Sequence, residues 1–160
     1  MNSLDQPKIV YLDMDHVLCD YDAAYALSRE CYPELQYPQS RRGYFSELQP
    51  MPGAVQAYHR LRQTDGLSVF ILTAPSVRNP HCYSEKRLWI ENHLGLEAAY
   101  RLIISPDKSL LKGDYLVDDK VRGRGQEHFG GCLLQFGSPQ FPTWSAILAF
   151  FEQDLFPEIK

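Results

Sequence analysis

Two acidic pairs stand where apolar runs end. Asp13 and Asp15 follow Ile9-Val10-Tyr11-Leu12, and Asp118 and Asp119 follow Tyr115-Leu116-Val117. Residues two apart on a strand share a face. If the chain turns after Asp13, one carboxylate can attack a substrate while the other serves as acid and base. Two such pairs at one sheet edge would repel, and Mg²⁺, which prefers carboxylate oxygens and binds phosphate, would relieve that repulsion. Thr73 ends the run "LSVFIL", where a hydroxyl and the following backbone N–H groups suit a phosphate. Lys86 falls early in a helix-like stretch, and its charge could neutralise both a phosphate and the acids. Each feature alone has a plain reading. A D-x-D can be a solvated strand end, "DDK" a turn, Thr73 a cap and Lys86 a surface residue.

The elements that would position these residues alternate in type. Ile9–Leu12, Leu67–Leu72, Leu102–Ile104, Tyr115–Val117 and Gly131–Phe136 read as strands. Between them, Asp22 could cap a helix ending before Pro33, Gly53 opens one that stops near Gly66, and Ser84 to His93 form a third that Gly95 ends. Thr143 precedes a last helix, with Trp144, Ile147, Leu148, Phe150 and Phe151 at core spacing. Strands alternating with helices imply an α/β, doubly wound, mostly parallel five-stranded sheet with helices on both faces. Each candidate residue then lies beyond a strand end, where open α/β sheets bind ligands. Residues 1–160 read as one domain with a small insertion at about 33–52, rich in Pro, Gln, Ser and Arg.

Together these features resemble the motif series of the haloacid dehalogenase (HAD) superfamily of phosphohydrolases. "DMDHVLCD" is similar to its first motif, "ILTAPS" to the second, Lys86 to the third and "YLVDDK" to the fourth. Within that superfamily the chain resembles the 5'(3')-deoxyribonucleotidases, through "RRGYF" (Arg41 to Phe45), "LQPMPGAVQA" and "YSEKRLW". The resemblance runs from about residue 9 to residue 122. It departs at His16, where glycine is usual, at Ala74, at Lys120, and in the shortness of the stretch between Phe45 and Leu48. It implies a HAD-like Rossmannoid fold with a reduced cap. It also implies a Mg²⁺-dependent phosphomonoesterase in which Asp13 forms an aspartyl-phosphate and Asp15 is the acid and base. Asp13, Asp15 (by its backbone carbonyl) and Asp119 would hold the metal, Asp118 would support it, and Thr73 and Lys86 would hold phosphoryl oxygens. Arg41, Arg42, Tyr44, Phe45 and Lys120 are candidate substrate-binding residues, the two aromatics as a platform for a base or as local packing.

The net charge of −4 and the absence of a basic face argue against a nucleic-acid polymer as partner. A small phosphomonoester is the expected substrate, a nucleoside monophosphate or alternatively a sugar phosphate; a homodimer is left open. The four cysteines lack zinc-ligand spacing and read as reduced thiols of a cytoplasmic protein. The opening "MNSLDQPK" has no signal-peptide core, and no apolar run is long enough to span a bilayer. A signalling receiver domain also uses acids, a Thr and a Lys, but places its adjacent acid pair first; here the D-x-D comes first. A binding protein that has lost turnover is a third reading.

Overall fold

The computed structural model describes residues 6–155; the first five residues of the opening segment lie outside it. The strands are β1 (Lys8–Leu12), β2 (Leu67–Thr73), β3 (Leu102–Ile104), β4 (Tyr115–Asp118) and β5 (Cys132–Gln135), in the spatial order β3-β2-β1-β4-β5. All four pairings are parallel, as the alternating elements require. The central strand β1 meets β2 at Val10↔Val69 and β4 at Val10↔Tyr115. Its near-continuous apolar run reflects burial on both faces. Val10 and Leu12 join the larger hydrophobic cluster, while Ile9 and Tyr11 face the smaller one with Leu72, Leu116 and Phe129.

Among the described residues five α-helices accompany the sheet: α1 (Tyr21–Cys31), α2 (Ala54–Gln63), α3 (Cys82–Leu94), α4 (Leu96–Ala99) and α5 (Trp144–Leu155). Buried residues of α2, α3, α4 and α5 all enter the larger cluster. The connections on the smaller cluster's side are trimmed to the 3₁₀ turns 108–110 and 126–128. That face is therefore closed by Leu111 and Phe129 from loops, rather than by long helices.

Helix α1 begins earlier than its sequence pattern suggests. Its cap is Asp20, whose Oδ1 accepts from the Ala23 N–H at 3.0 Å, and Asp22 lies in the first turn. Gly53 opens α2 in the left-handed region, at φ 79°. The indole N–H of Trp144 donates to the Val17 carbonyl, and that of Trp89 to the Leu48 carbonyl. Both tryptophans are thus core residues that also fasten the loops beside the strand ends.

Candidate active site

The site forms beyond the carboxyl ends of β1, β2 and β4. The Asp13 N–H donates to the Val117 carbonyl at 2.9 Å, which fixes Asp13 beside the end of β4. The chain then turns sharply. The N–H groups of Leu18 and Cys19 both donate to the Met14 carbonyl, and that of His16 to the Cys19 carbonyl. His16 carries φ 64°, in the left-handed region that favours glycine, which explains the glycine usual at this position. Its ring packs on Tyr21 with centroids 4.9 Å apart, and Nδ1 lies 3.4 Å from the Asp22 carboxylate.

A cavity of about 350 Å³ opens over this turn. Asp13, Asp15, Asp118 and Asp119 line it together, so both acidic pairs converge. One carboxylate oxygen from each of Asp13, Asp118 and Asp119 lies within 4.8 Å of the others. Asp13 and Asp118 are almost wholly buried. Burial, and then the charge of Asp13, push the Asp118 carboxyl up to about 6.

Lys108, which no sequence pattern singles out, stands between these acids. Its ammonium lies 2.9 Å from Asp13 Oδ1 and 2.5 Å from Asp118 Oδ2, and it lines the cavity. Burial alone would lower its pKa, but the two carboxylates outweigh burial and hold it above the usual lysine value. Lys108 sits on the 3₁₀ turn after β3, within the polar stretch "SPDKSLLKGD", which carries no periodicity to mark it.

Lys86 and Thr73 are placed differently from the phosphate-facing role suggested by their motifs. Both are fully buried, and neither lines the cavity. The Lys86 ammonium donates to Thr73 Oγ1 at 2.7 Å, to the Ala74 carbonyl at 2.9 Å and to Asp15 Oδ2 at 2.9 Å. All three of its protons are thus directed into the protein. The cavity wall after β2 is made instead by Ala74, Pro75 and Ser76. Asp15 Oδ1 retains only a long contact, 3.8 Å, with the Cys19 thiol.

The insertion is packed down. Tyr44 and Phe45 are each 1% exposed, so they do not form an open platform. Tyr44 stands edge-on to Tyr21 at 5.5 Å and to Phe45 at 5.1 Å. Only Phe45 reaches the cavity, with the Lys86 ammonium 5.0 Å from its ring centroid. The accessible aromatic faces belong to Tyr21 and His16, which line the same wall with Gln39. Arg41 pairs with Glu47 at 2.6 Å, and Arg42 points to solvent; neither lines the cavity. Lys120 does line it, 3.2 Å from Asp119.

Glu85, another residue without a sequence signal, fastens the insertion. Its buried carboxylate accepts from the Gly43 N–H at 2.6 Å, the Phe45 N–H at 3.1 Å and the Asn79 side-chain amide at 3.3 Å. The Asn79 amide also donates to the carbonyls of Gln39 and Arg41. Glu85 and Lys86 are adjacent on α3, so one turn of helix holds both the insertion and Asp15.

A sequence model of the family described as "5' nucleotidase, deoxy (Pyrimidine), cytosolic type C protein" matches residues 23–141. A Vibrio phage KVP40 protein assigned as a 5'(3')-deoxyribonucleotidase is 35% identical, with 94% of this chain and 87% of that protein covered. The human cytosolic-type 5'(3')-deoxyribonucleotidase is 32% identical, over 87% of this chain and 78% of its own. The fold is similar to that of YfnB from Bacillus subtilis, assigned as a HAD hydrolase and solved bound to magnesium. Its TM-score is 0.64 at 12% identity, with 91% of this chain and 99% of that chain covered. With the family match spanning most of the residues that build the cavity, the chain has a HAD-hydrolase-like fold and belongs to the 5'(3')-deoxyribonucleotidase family.

Proposed function

We propose that the protein is a Mg²⁺-dependent phosphomonoesterase that hydrolyses nucleoside monophosphates, deoxy forms included, through an aspartyl-phosphate on Asp13. The observation that carries this reading is the convergence of Asp13, Asp118 and Asp119 on one point, with Lys108 bridging two of them and Asp15 beside them in the same cavity. Three carboxylates are a hard-oxygen donor set suited to Mg²⁺. Asp118 is raised first by burial and then by the charge of Asp13, and a divalent cation would relieve the second of these. Asp13 and Asp119, with Asp118 behind them, are the side chains that would hold the ion, beside the Asp15 backbone carbonyl. When bound, it supplies Lewis-acid stabilisation of charge on the phosphoryl oxygens.

The chain's own residues divide the chemistry. A carboxylate oxygen of Asp13 attacks phosphorus as the bond to the leaving oxygen breaks. Asp15 gives that oxygen a proton. Its Oδ2 is held by Lys86, so Oδ1 is the oxygen free to transfer it. Asp15 then takes a proton from water, which attacks phosphorus, releases inorganic phosphate and frees Asp13. Lys108, on the cavity wall, neutralises charge on Asp13 and on the incoming phosphoryl group. Residues 33–52 act as a reduced cap, and Tyr21 and His16 offer aromatic faces to a base. The four free cysteines fit a reducing, cytoplasmic setting, and among the described residues no helix is long and apolar enough to cross a membrane.

The burial of Tyr44 and Phe45 favours a second substrate class, sugar phosphates, because it removes aromatic area from the cap. Phosphate release from a panel of nucleotides, sugar phosphates and a small aryl phosphate, with and without Mg²⁺, decides between them. Full turnover after exhaustive chelation would overturn the metal-dependent reading.

A further inference from the structure

The cavity lining comes from two unlike stretches of chain. His16, Tyr21, Gln39 and Phe45 are aromatic and polar; Lys120, Arg122, Gly123 and Arg124, on the loop after β4, are basic. Among the described residues, each lysine at the site is committed to an acid. Lys108 meets Asp13 and Asp118, Lys86 meets Asp15, and Lys120 meets Asp119. Arg122 and Arg124 have no hydrogen-bond or ion-pair partner for their guanidinium groups there. The four carboxylates thus face three committed ammonium groups and two uncommitted guanidinium groups. A divalent cation and a phosphoryl dianion would cancel each other and leave those two guanidinium groups unanswered. Two guanidinium groups suit the planar, bidentate recognition of a phosphoryl group.

The backbone that carries them is held in place, although the side chains are exposed. The Lys108 N–H donates to the Arg124 carbonyl at 2.7 Å, and the Arg124 N–H donates to Gln126 Oε1 at 2.8 Å. The Gln126 amide in turn donates to Asp118 Oδ2 at 3.1 Å. Gly125, at φ 84°, lets this loop pass so close to Asp107 that a Cβ would lie 1.9 Å from Asp107 Oδ1. The loop is therefore hydrogen-bonded directly to Lys108 and Asp118, which flank Asp13, so the backbone that carries the arginines keeps a fixed place beside the site.

Building on the phosphomonoesterase reading, we propose that Arg122 and Arg124 form a second anion subsite. The preferred substrates are then phosphomonoesters that carry a further phosphoryl group, of the class of nucleoside 3',5'-bisphosphates. The base faces the His16–Tyr21 wall while the second phosphoryl group faces the arginines.

Steady-state kinetics on a nucleoside 5'-monophosphate, its 3',5'-bisphosphate and a small aryl phosphate test this. The expected result is a kcat/KM for removal of one phosphate from the bisphosphate that exceeds the monophosphate value by roughly tenfold. In the Arg122→Ala/Arg124→Ala protein that ratio falls to about one, and in the natural chain it falls steeply with added salt. Equal kcat/KM for the two nucleotides in the natural chain, or a ratio unmoved in the double variant, overturns the subsite. If none of the three compounds is hydrolysed, the phosphomonoesterase reading fails instead. The subsite is then read by calorimetry of bisphosphate against monophosphate binding. Tighter bisphosphate binding that the double variant abolishes supports it, and equal binding overturns it.

Discussion

Lys86 and Lys108 are both buried ammonium groups that meet aspartates of the same turn, yet their surroundings give them different work. Lys86 comes from the middle of α3 and spends its three protons on Asp15, Thr73 and Ala74, one charge balanced by one charge. Lys108 comes from a single 3₁₀ turn, faces two carboxylates, and opens onto the cavity. The first arrangement is closed and balanced, and it positions a side chain. The second carries one positive charge against two, so it still attracts cations. Charge balance, rather than burial, separates the lysine that holds the framework from the one that opens onto the cavity.

The largest expected effect removes what Lys108 serves. Asp13→Asn should leave a folded protein with turnover reduced by about 10³-fold or more, because the nucleophile is gone. Single-turnover assays of purified protein check this, and substantial phosphatase activity in the folded variant would refute the assignment. The lysines themselves come next. Lys108→Met strips a partner from the buried carboxylates of Asp13 and Asp118, which costs about 3–5 kcal/mol, whereas Lys86→Met costs less because its partner Asp15 is partly exposed. Saturating Mg²⁺ should restore the melting temperature of Lys108→Met, whose orphaned acids are the proposed metal donors, and should not restore that of Lys86→Met. Equal rescue of both would erase the contrast.

A smaller effect concerns the neighbour of Lys86. Glu85→Gln places an amide nitrogen or a neutral oxygen against the Gly43 and Phe45 N–H groups. It should raise KM for nucleotides several-fold while changing kcat for a small aryl phosphate little, as steady-state kinetics will show. The smallest effect is a pH dependence of the metal-free protein. The Asp118 carboxyl is raised to about 6 in the fold, above its ordinary value. Its protonation therefore favours the native state, and that contribution, complete below about pH 4, is lost as pH rises through about 6. Melting of the metal-free chain should accordingly fall between about pH 4 and 7, and Asp118→Asn should flatten that slope.

Much of the fold was legible because its strands are short apolar runs bounded by polar loops, and the parallel order follows from what lies between them. The four aspartates were legible for the same reason, since each follows such a run. Lys108 was not: its role depends on β3 and β4 bringing a polar loop beside Asp13, a contact that spans 95 residues of chain. The motif suggests Lys86 as phosphate-facing, and sequence alone does not show that Asp15, Thr73 and Ala74 take its protons. Tyr44 and Phe45 look the same in sequence whether they stack on a ligand or on each other. Only the buried Glu85 carboxylate, which draws in the backbone around them, settles their packing. Asp20 and Asp22 are equally good caps by residue type, and the turn after β1 decides for Asp20.

The pairing of β1 also governs how the molecule comes into being. Among the described residues the first strand in chain order lies at the centre of the sheet, between partners that begin at residues 67 and 115. Closing such long loops is slow, and until β4 arrives one edge of β1 is a bare, apolar template. Asp13 acquires Lys108 and Asp118 only at that late step. During refolding, catalytic competence should therefore lag behind the burial of Trp89, which lies on α3 and precedes β4 in the chain. A ribosome-bound chain would remain inert, and in need of protection, until β4 had been synthesised and docked.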